Sequence, residues 1–424
     1  MSILRSALAY GTLLCAFSLP ACGGGGVTGT GGGSSSATGT GGGDPGTGGA
    51  GTGGGFMTAE HTALPKVITF GGPVLKTPKV QAIVYASDPK ADDIDAFLAE
   101  LAATSYWGEA TAEYGVGALQ ILPTIKRPES PPAKLTDTQL SQDLAAQTSG
   151  ASPAWGAADP STIYLFVLPQ GTVIDAGGEC CTDYDGYHDE ATVGAIKVPY
   201  GIVCSCPGLD GPGVNDVQQV TVAMSHELVE AATDPLPFSD PAYAQTDDPN
   251  VIWTLITGGE TADMCEFDAD SFVIPKGSKY MVQKSWSNAA AAAGKEPCIP
   301  ATEGAPFFGV SPVLPDQLSI TGVPFLTSGV KIPVGQSKTI DLQLFSNAPT
   351  QGPWKVTAYD LNAFFGGSPN LELTLDKATG QNGDVLALTI KVLSLNTDYG
   401  VDAFILESDL GGESSLSVAA VGTK

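Results

Sequence analysis

Between residues 57 and 300 the apolar positions follow two different spacings. VQAIVYAS at 80–87 and TIYLFVL at 162–168 are nearly unbroken apolar runs of strand length. Such runs read as strands buried on both faces. Residues 92–104 instead carry Ile94, Phe97, Leu98 and Leu101 at helical spacing, and 136–147 repeats an amphipathic pattern. Another extended stretch covers 195–203, and VIWTLI at 251–256 reads as a further strand-like run. Between them a helix is expected over 216–233. Asn215 suits its N-cap, Asp216 suits the positive end of its dipole, and Pro235 keeps Asp234 out of the helical region.

Past residue 301 the period changes to two. TIDLQL at 339–344, WKVTAY at 354–359, VLALTIKV at 385–392 and VDAFIL at 401–406 are short, mostly alternating runs separated by Gly and Pro turns. This is the pattern of an all-β sandwich. The fold class expected is therefore α+β: a mixed α/β domain over 57–300, then a β-sandwich accessory domain over 301–424. The second part contains neither histidine nor cysteine, so no chemistry is assigned to it.

The N-terminal end adds a setting. Arg5 and the apolar residues 7–17 resemble a secretory signal, too short to span a bilayer comfortably. Leu19-Pro20-Ala21-Cys22 resembles the lipobox of bacterial lipoproteins, which implies that the signal segment 1–22 is cleaved just before Cys22 and that Cys22 is lipidated. Gly23 at the next position fits outer-membrane lipoproteins. Residues 23–56 are almost all Gly, Ser, Thr and Ala, a flexible linker with a span of roughly 30 Å. The expected location is thus the bacterial cell envelope, on the outer membrane and surface-exposed, with the lipid anchor as the membrane contact. In that oxidising compartment Cys180, Cys181, Cys204, Cys206, Cys265 and Cys298 are disulfide candidates, with the pairing left open. The formal charge of −26 repels phosphate backbones and argues against nucleic acid as a partner.

The chemistry concentrates in SHELVEAATDP at 225–235. His226 and Glu230 are four residues apart and share one helix face, opposite the apolar stripe of Val217, Val220, Met224, Leu228 and Ala231. On one reading they are the solvated side of an amphipathic helix. On the other they hold a metal, zinc or another divalent cation, and Glu227 is the catalytic base. A third ligand is then needed from elsewhere. Glu260 or Asp263, in GGETADMCE, is one source, with Cys265 pinning that turn through a disulfide. His188, in GYHDE, is another, and His61 is read as incidental.

Several segments together resemble the phosphate-induced, or Exordium-like, family and its bacterial relatives. They are GGPVLKTPKVQAIVY (71–85), SYWGEATAEY (105–114), GECCTDYDGYHDE (178–190), VPYGIVCSC (198–206), SHELVEAATDP, GGETADMC (258–265) and VQKSWSNAAAAAGKEPC (282–298). The resemblance covers most of 65–299 and not the β-rich end. It implies a shared site at His226, Glu227, Glu230 and Asp234, then Glu260, Asp263 and Cys265. Threonine and alanine replace the family's middle isoleucine and glycine in the second segment. The expected function is an exported, lipid-anchored metal-dependent hydrolase of zincin-like type, acting on protein or wall polymer. The alternative is a non-catalytic surface-binding lipoprotein with a structural metal.

Overall fold

The computed structural model describes residues 56–211, 213–396 and 398–423. The signal, Cys22 and the linker through residue 55 lie outside the described residues. A mixed sheet organises the first part. Its strands are β1 (Lys79–Tyr85), β2 (Gln120–Ile121), β3 (Ile125–Arg127), β4 (Thr162–Leu168), β5 (Gly186–Val193) and β6 (Ile196–Cys204). The order is β2-β1-β4-β6-β5, with β3 also beside β1. All neighbours are parallel except β5, which runs antiparallel to β6 at one edge.

The two unbroken apolar runs became β1 and β4, and every residue of β4 is buried. Both faces of the sheet are covered, so neither run alternates. One face packs helix α1 (Ala91–Ala103) and helix α3 (Asp216–Thr233) through Ile94, Leu98, Met224 and Leu228. The other packs helix α2 (Asp137–Thr148) through Leu140 and Leu144. A capping box starts α2 at Thr136, and another starts α3 at Asn215, whose side chain accepts from the Val217 and Gln218 amides. Asp234 closes α3. Among the described residues, no helix is long and apolar enough to cross a membrane.

VIWTLI is helical, not a strand: α4 spans Val251–Thr257. Val251, Ile252, Trp253 and Ile256 are all buried, so the helix is apolar on nearly every side and shows no period that would separate it from a strand. A short turn containing Pro249 leads into it, and Gly258 at φ 103° ends it.

Two sheets form the β-rich part, one of four strands and one of six. Val310, Leu342, Leu388, Ile390, Trp354 and Phe404 fill the space between them. A separate buried cluster joins the parts: Trp253, Ile256, Met264 and Trp286 pack with Leu318, Val401, Ala403 and Ile405. The leading segment also crosses onto the sandwich. The Ala59 amide donates to Asn382, the Thr62 amide donates to Ser311, and the His61 ring stacks on Phe345 at 3.8 Å. His61 thus packs far from the other histidines. The six cysteines pair as Cys180–Cys204, Cys181–Cys206 and Cys265–Cys298.

Candidate metal centre

Past its first turn, helix α3 runs through the interior, and most of its polar residues there are buried, with His226 partly so. Gln219 is 1% exposed, and Glu227 and Glu230 are each 4% exposed. The solvated-side reading fails because two further elements cover this face. Edge strand β5 brings in His188. The turn after α4 brings in Glu260 and Asp263, and the Asp263 amide donates to Glu230 Oε1 at 3.0 Å.

Three walls therefore converge on one buried cluster. His226 Nε2 lies 3.1 Å from Glu230 Oε2 and 3.5 Å from Asp263 Oδ1. His188 Nδ1 lies 3.6 Å from the same Glu230 oxygen and 3.7 Å from Glu227 Oε2, while its Nε2 is 3.4 Å from Glu260 Oε2. Two glycines make room. A Cβ on Gly186 would stand 2.7 Å from Glu227 Oε1, and one on Gly258 would stand 2.0 Å from Asp263 Oδ2. The Cys265–Cys298 disulfide ties the Asp263 turn to the strand segment at 298–299.

Gln283 fixes how His226 is used. Its amide nitrogen donates to the Ala262 carbonyl at 2.9 Å, so its oxygen must accept, and the donor is His226 Nδ1 at 3.1 Å. Nε2 is then left facing two carboxylates. A ligating histidine whose other ring nitrogen is held by an outer partner has this arrangement. Without a cation the site must hold protons. At His226 burial opposes charge, but Glu230, Asp263 and Glu227 outweigh it and raise the pKa well above the ordinary value. At His188 burial is likewise outweighed, by Glu260, Glu227 and Glu230. Burial lifts Glu227 to about 7 against the pull of both histidines, and lifts Asp263 to about 6 with help from Glu230. Burial also raises Glu260 well above its ordinary value, while at Glu230 burial is outweighed by His226 and His188, which leave its pKa lowered.

The donor atoms suit a small divalent cation. Tetrahedral zinc at about 2.0–2.1 Å from each ligand places its ligands roughly 3.3 Å apart. The His226, Glu230 and Asp263 separations of 3.1 and 3.5 Å bracket that value. These three atoms form one group within 4.8 Å of one another, and His188, Glu227 and Glu230 form a second. Among the described residues, the buried atoms His188 Nε2, Glu227 Oε2 and Glu260 Oε2 have no hydrogen-bond partner. Two other close groups contain disulfide cysteines, whose sulfurs are already committed.

Of the residues singled out from sequence, His188, His226, Glu227, Glu230, Glu260 and Asp263 come together. Asp234 stays outside both donor groups; it accepts from the Ala242 amide at 2.8 Å and holds the end of α3. Gln283 and Gly186 were not singled out. Gly186 stands two residues before His188 in the same segment, whereas nothing near Gln283 in the sequence signals its role. Compared with known proteins, the chain matches no family model and no curated protein.

Proposed function

We propose that this chain is a metal-dependent hydrolase of zincin-like type with an extended protein or peptide chain as substrate. His226, Glu230 and Asp263 would hold zinc or another divalent cation. The observation that carries this reading is His226 Nε2, set between Glu230 and Asp263 while Gln283 occupies Nδ1. When bound, the cation supplies Lewis acidity toward a carbonyl group and toward water. Glu227 follows His226 on the same helix and lies buried beside the donor group, within reach of the cation's surroundings, where a carboxylate can take up a proton and return it. Strand β5 forms the sheet edge beside the site, where an extended substrate could add as a further strand. The N-terminal sequence argues for an exported protein anchored through Cys22, and the ordered segments argue for kinship with Exordium-like proteins; both belong to this proposal.

The test is the metal content of the purified full chain, made in an oxidising compartment. One tightly held equivalent, absent from a folded His226→Ala variant, supports the site. Loss of peptide hydrolysis in a Glu227→Gln variant that keeps its cation supports the reaction. A folded protein without bound metal overturns the reading. Bound metal with no hydrolysis of any peptide or wall polymer leaves a structural cation in a surface-binding protein.

A further inference from the structure

We propose that the same cleft carries a second, weaker divalent-cation site on His188, Glu227 and Glu230, and that filling it takes Glu227 away from proton transfer. This inference rests on the reading of the first site.

The donor geometry comes first. His188 Nδ1 faces Glu227 Oε2 at 3.7 Å and Glu230 Oε2 at 3.6 Å, and all three side chains are about 95% buried. Their donor atoms form a group distinct from that of His226 and Asp263, sharing only Glu230 with it.

Unpaired atoms come second. His188 Nε2, Glu227 Oε2 and Glu260 Oε2 are buried without hydrogen-bond partners among the described residues. Leaving such groups unmade is costly. A cation on Nδ1 would fix the ring proton on Nε2, which faces Glu260 Oε2 at 3.4 Å. One ion thus gives all three atoms a partner.

Charge comes third. Glu227, Glu230, Glu260 and Asp263 carry four negative charges when ionised, and neutral histidines carry none. One divalent cation leaves half of that charge uncompensated in a buried space, before the neighbouring Asp234 and Glu266 are counted, and a second reduces the excess. The second site is the weaker because its ion shares Glu230 with the first and is repelled by it. Its donor separations are also wider than the roughly 3.3 Å edge that suits zinc.

The full chain is dialysed against zinc ions and read by elemental analysis, then titrated calorimetrically. The expected result is two equivalents at saturation, one of them surviving exhaustive dialysis. His188→Ala should keep the tight equivalent and weaken the other by about tenfold or more. Glu227→Gln, nearly isosteric, should do the same and covers the case in which His188→Ala does not fold. Hydrolysis by the wild-type chain should rise with the first equivalent and fall with the second. A single equivalent at saturation, or a second that persists unchanged in both variants, overturns the proposal while leaving the first site intact. A wild-type chain without a tight equivalent overturns the parent reading instead.

Discussion

Gln283 and His226 are joined by a 3.1 Å hydrogen bond whose direction is set elsewhere, by the Gln283 amide nitrogen donating to Ala262. The imidazole cannot rotate or change tautomer without leaving one of these groups unpaired. Gln283→Leu should therefore lower cation affinity 10- to 100-fold, the usual loss when the outer partner of a ligand is removed. Calorimetric titration with zinc checks this. An affinity unchanged in the folded variant would show that the ring is held by something else.

Glu227→Gln keeps the shape of the side chain and removes its basicity. If Glu227 carries the proton, turnover should drop by about 10²- to 10⁴-fold, with KM nearly unchanged and the tight cation retained. Steady-state kinetics on a cleaved peptide decides it; equal losses in affinity and turnover would point to a binding role.

Gly258 and Gly186 set the clearances of two walls. A Cβ at Gly258 meets Asp263 Oδ2 at 2.0 Å, and the φ of 103° is itself unfavourable for other residues. Gly258→Ala should cost about 1–3 kcal/mol and displace Asp263, weakening the tight cation. Gly186→Ala crowds Glu227 and the Ile202 carbonyl, so it should depress activity with the tight cation still bound. Melting curves with and without zinc separate the two outcomes.

Away from the cleft, Asp268 is buried and Glu296 partly buried, both beside Trp286 and Cys298. Asp268 Oδ2 lies 3.1 Å from Cys298 Sγ, which is in a disulfide and has no proton to donate. Burial raises Asp268 well above the carboxylate range, with Glu296, Asp270 and Glu407 adding to it and Lys284 opposing. Burial raises Glu296 to about 7, against the Cys298 amide and Lys284, with Asp270 and Glu413 adding. The folded state thus binds protons more tightly than the unfolded state. The stability from these two groups is complete below the ordinary carboxylate range and is lost as pH rises through their raised folded values, about 7 for Glu296. Melting temperature should fall between pH 5 and 8, and Asp268→Asn should flatten that slope. A slope unaltered by the substitution would assign it to other groups.

The Cys265–Cys298 bridge closes a sequence separation of 33 residues. Replacing both by serine should remove about 3–4 kcal/mol by the chain-entropy account. Because Asp263 stands on the same turn, zinc affinity should fall as well. Denaturant unfolding and zinc titration of the double variant measure the two effects separately.

What could be read from the sequence followed what local patterns encode. β1, β4 and α3 were legible, down to the Asn215 cap, because burial on both faces and capping chemistry leave local marks. The alternating runs beyond residue 301 likewise marked sandwich strands. Helix α4 was misread because its apolar residues surround it. The burial of His226 and Glu230 was not legible either. Their cover comes from His188 on an edge strand and from an acidic turn, both distant in sequence and polar in composition. A hydrophobic pattern reports apolar partners and is blind to a lid made of carboxylates.

The cluster of Trp253, Ile256, Met264 and Trp286 with Leu318, Val401 and Ile405 has a bearing on how this chain can vary. Trp253 and Ile256 belong to α4, the helix that ends at Gly258, directly before the Glu260–Asp263 turn. A chain cut near residue 300 would strip the wall against which that helix leans, and an oily scar would open beside the acidic turn. The sandwich is therefore no interchangeable appendage. Grafting it onto another domain, or trading it for a different module, would demand a rewritten seam on both sides, so the two halves should travel together through evolution.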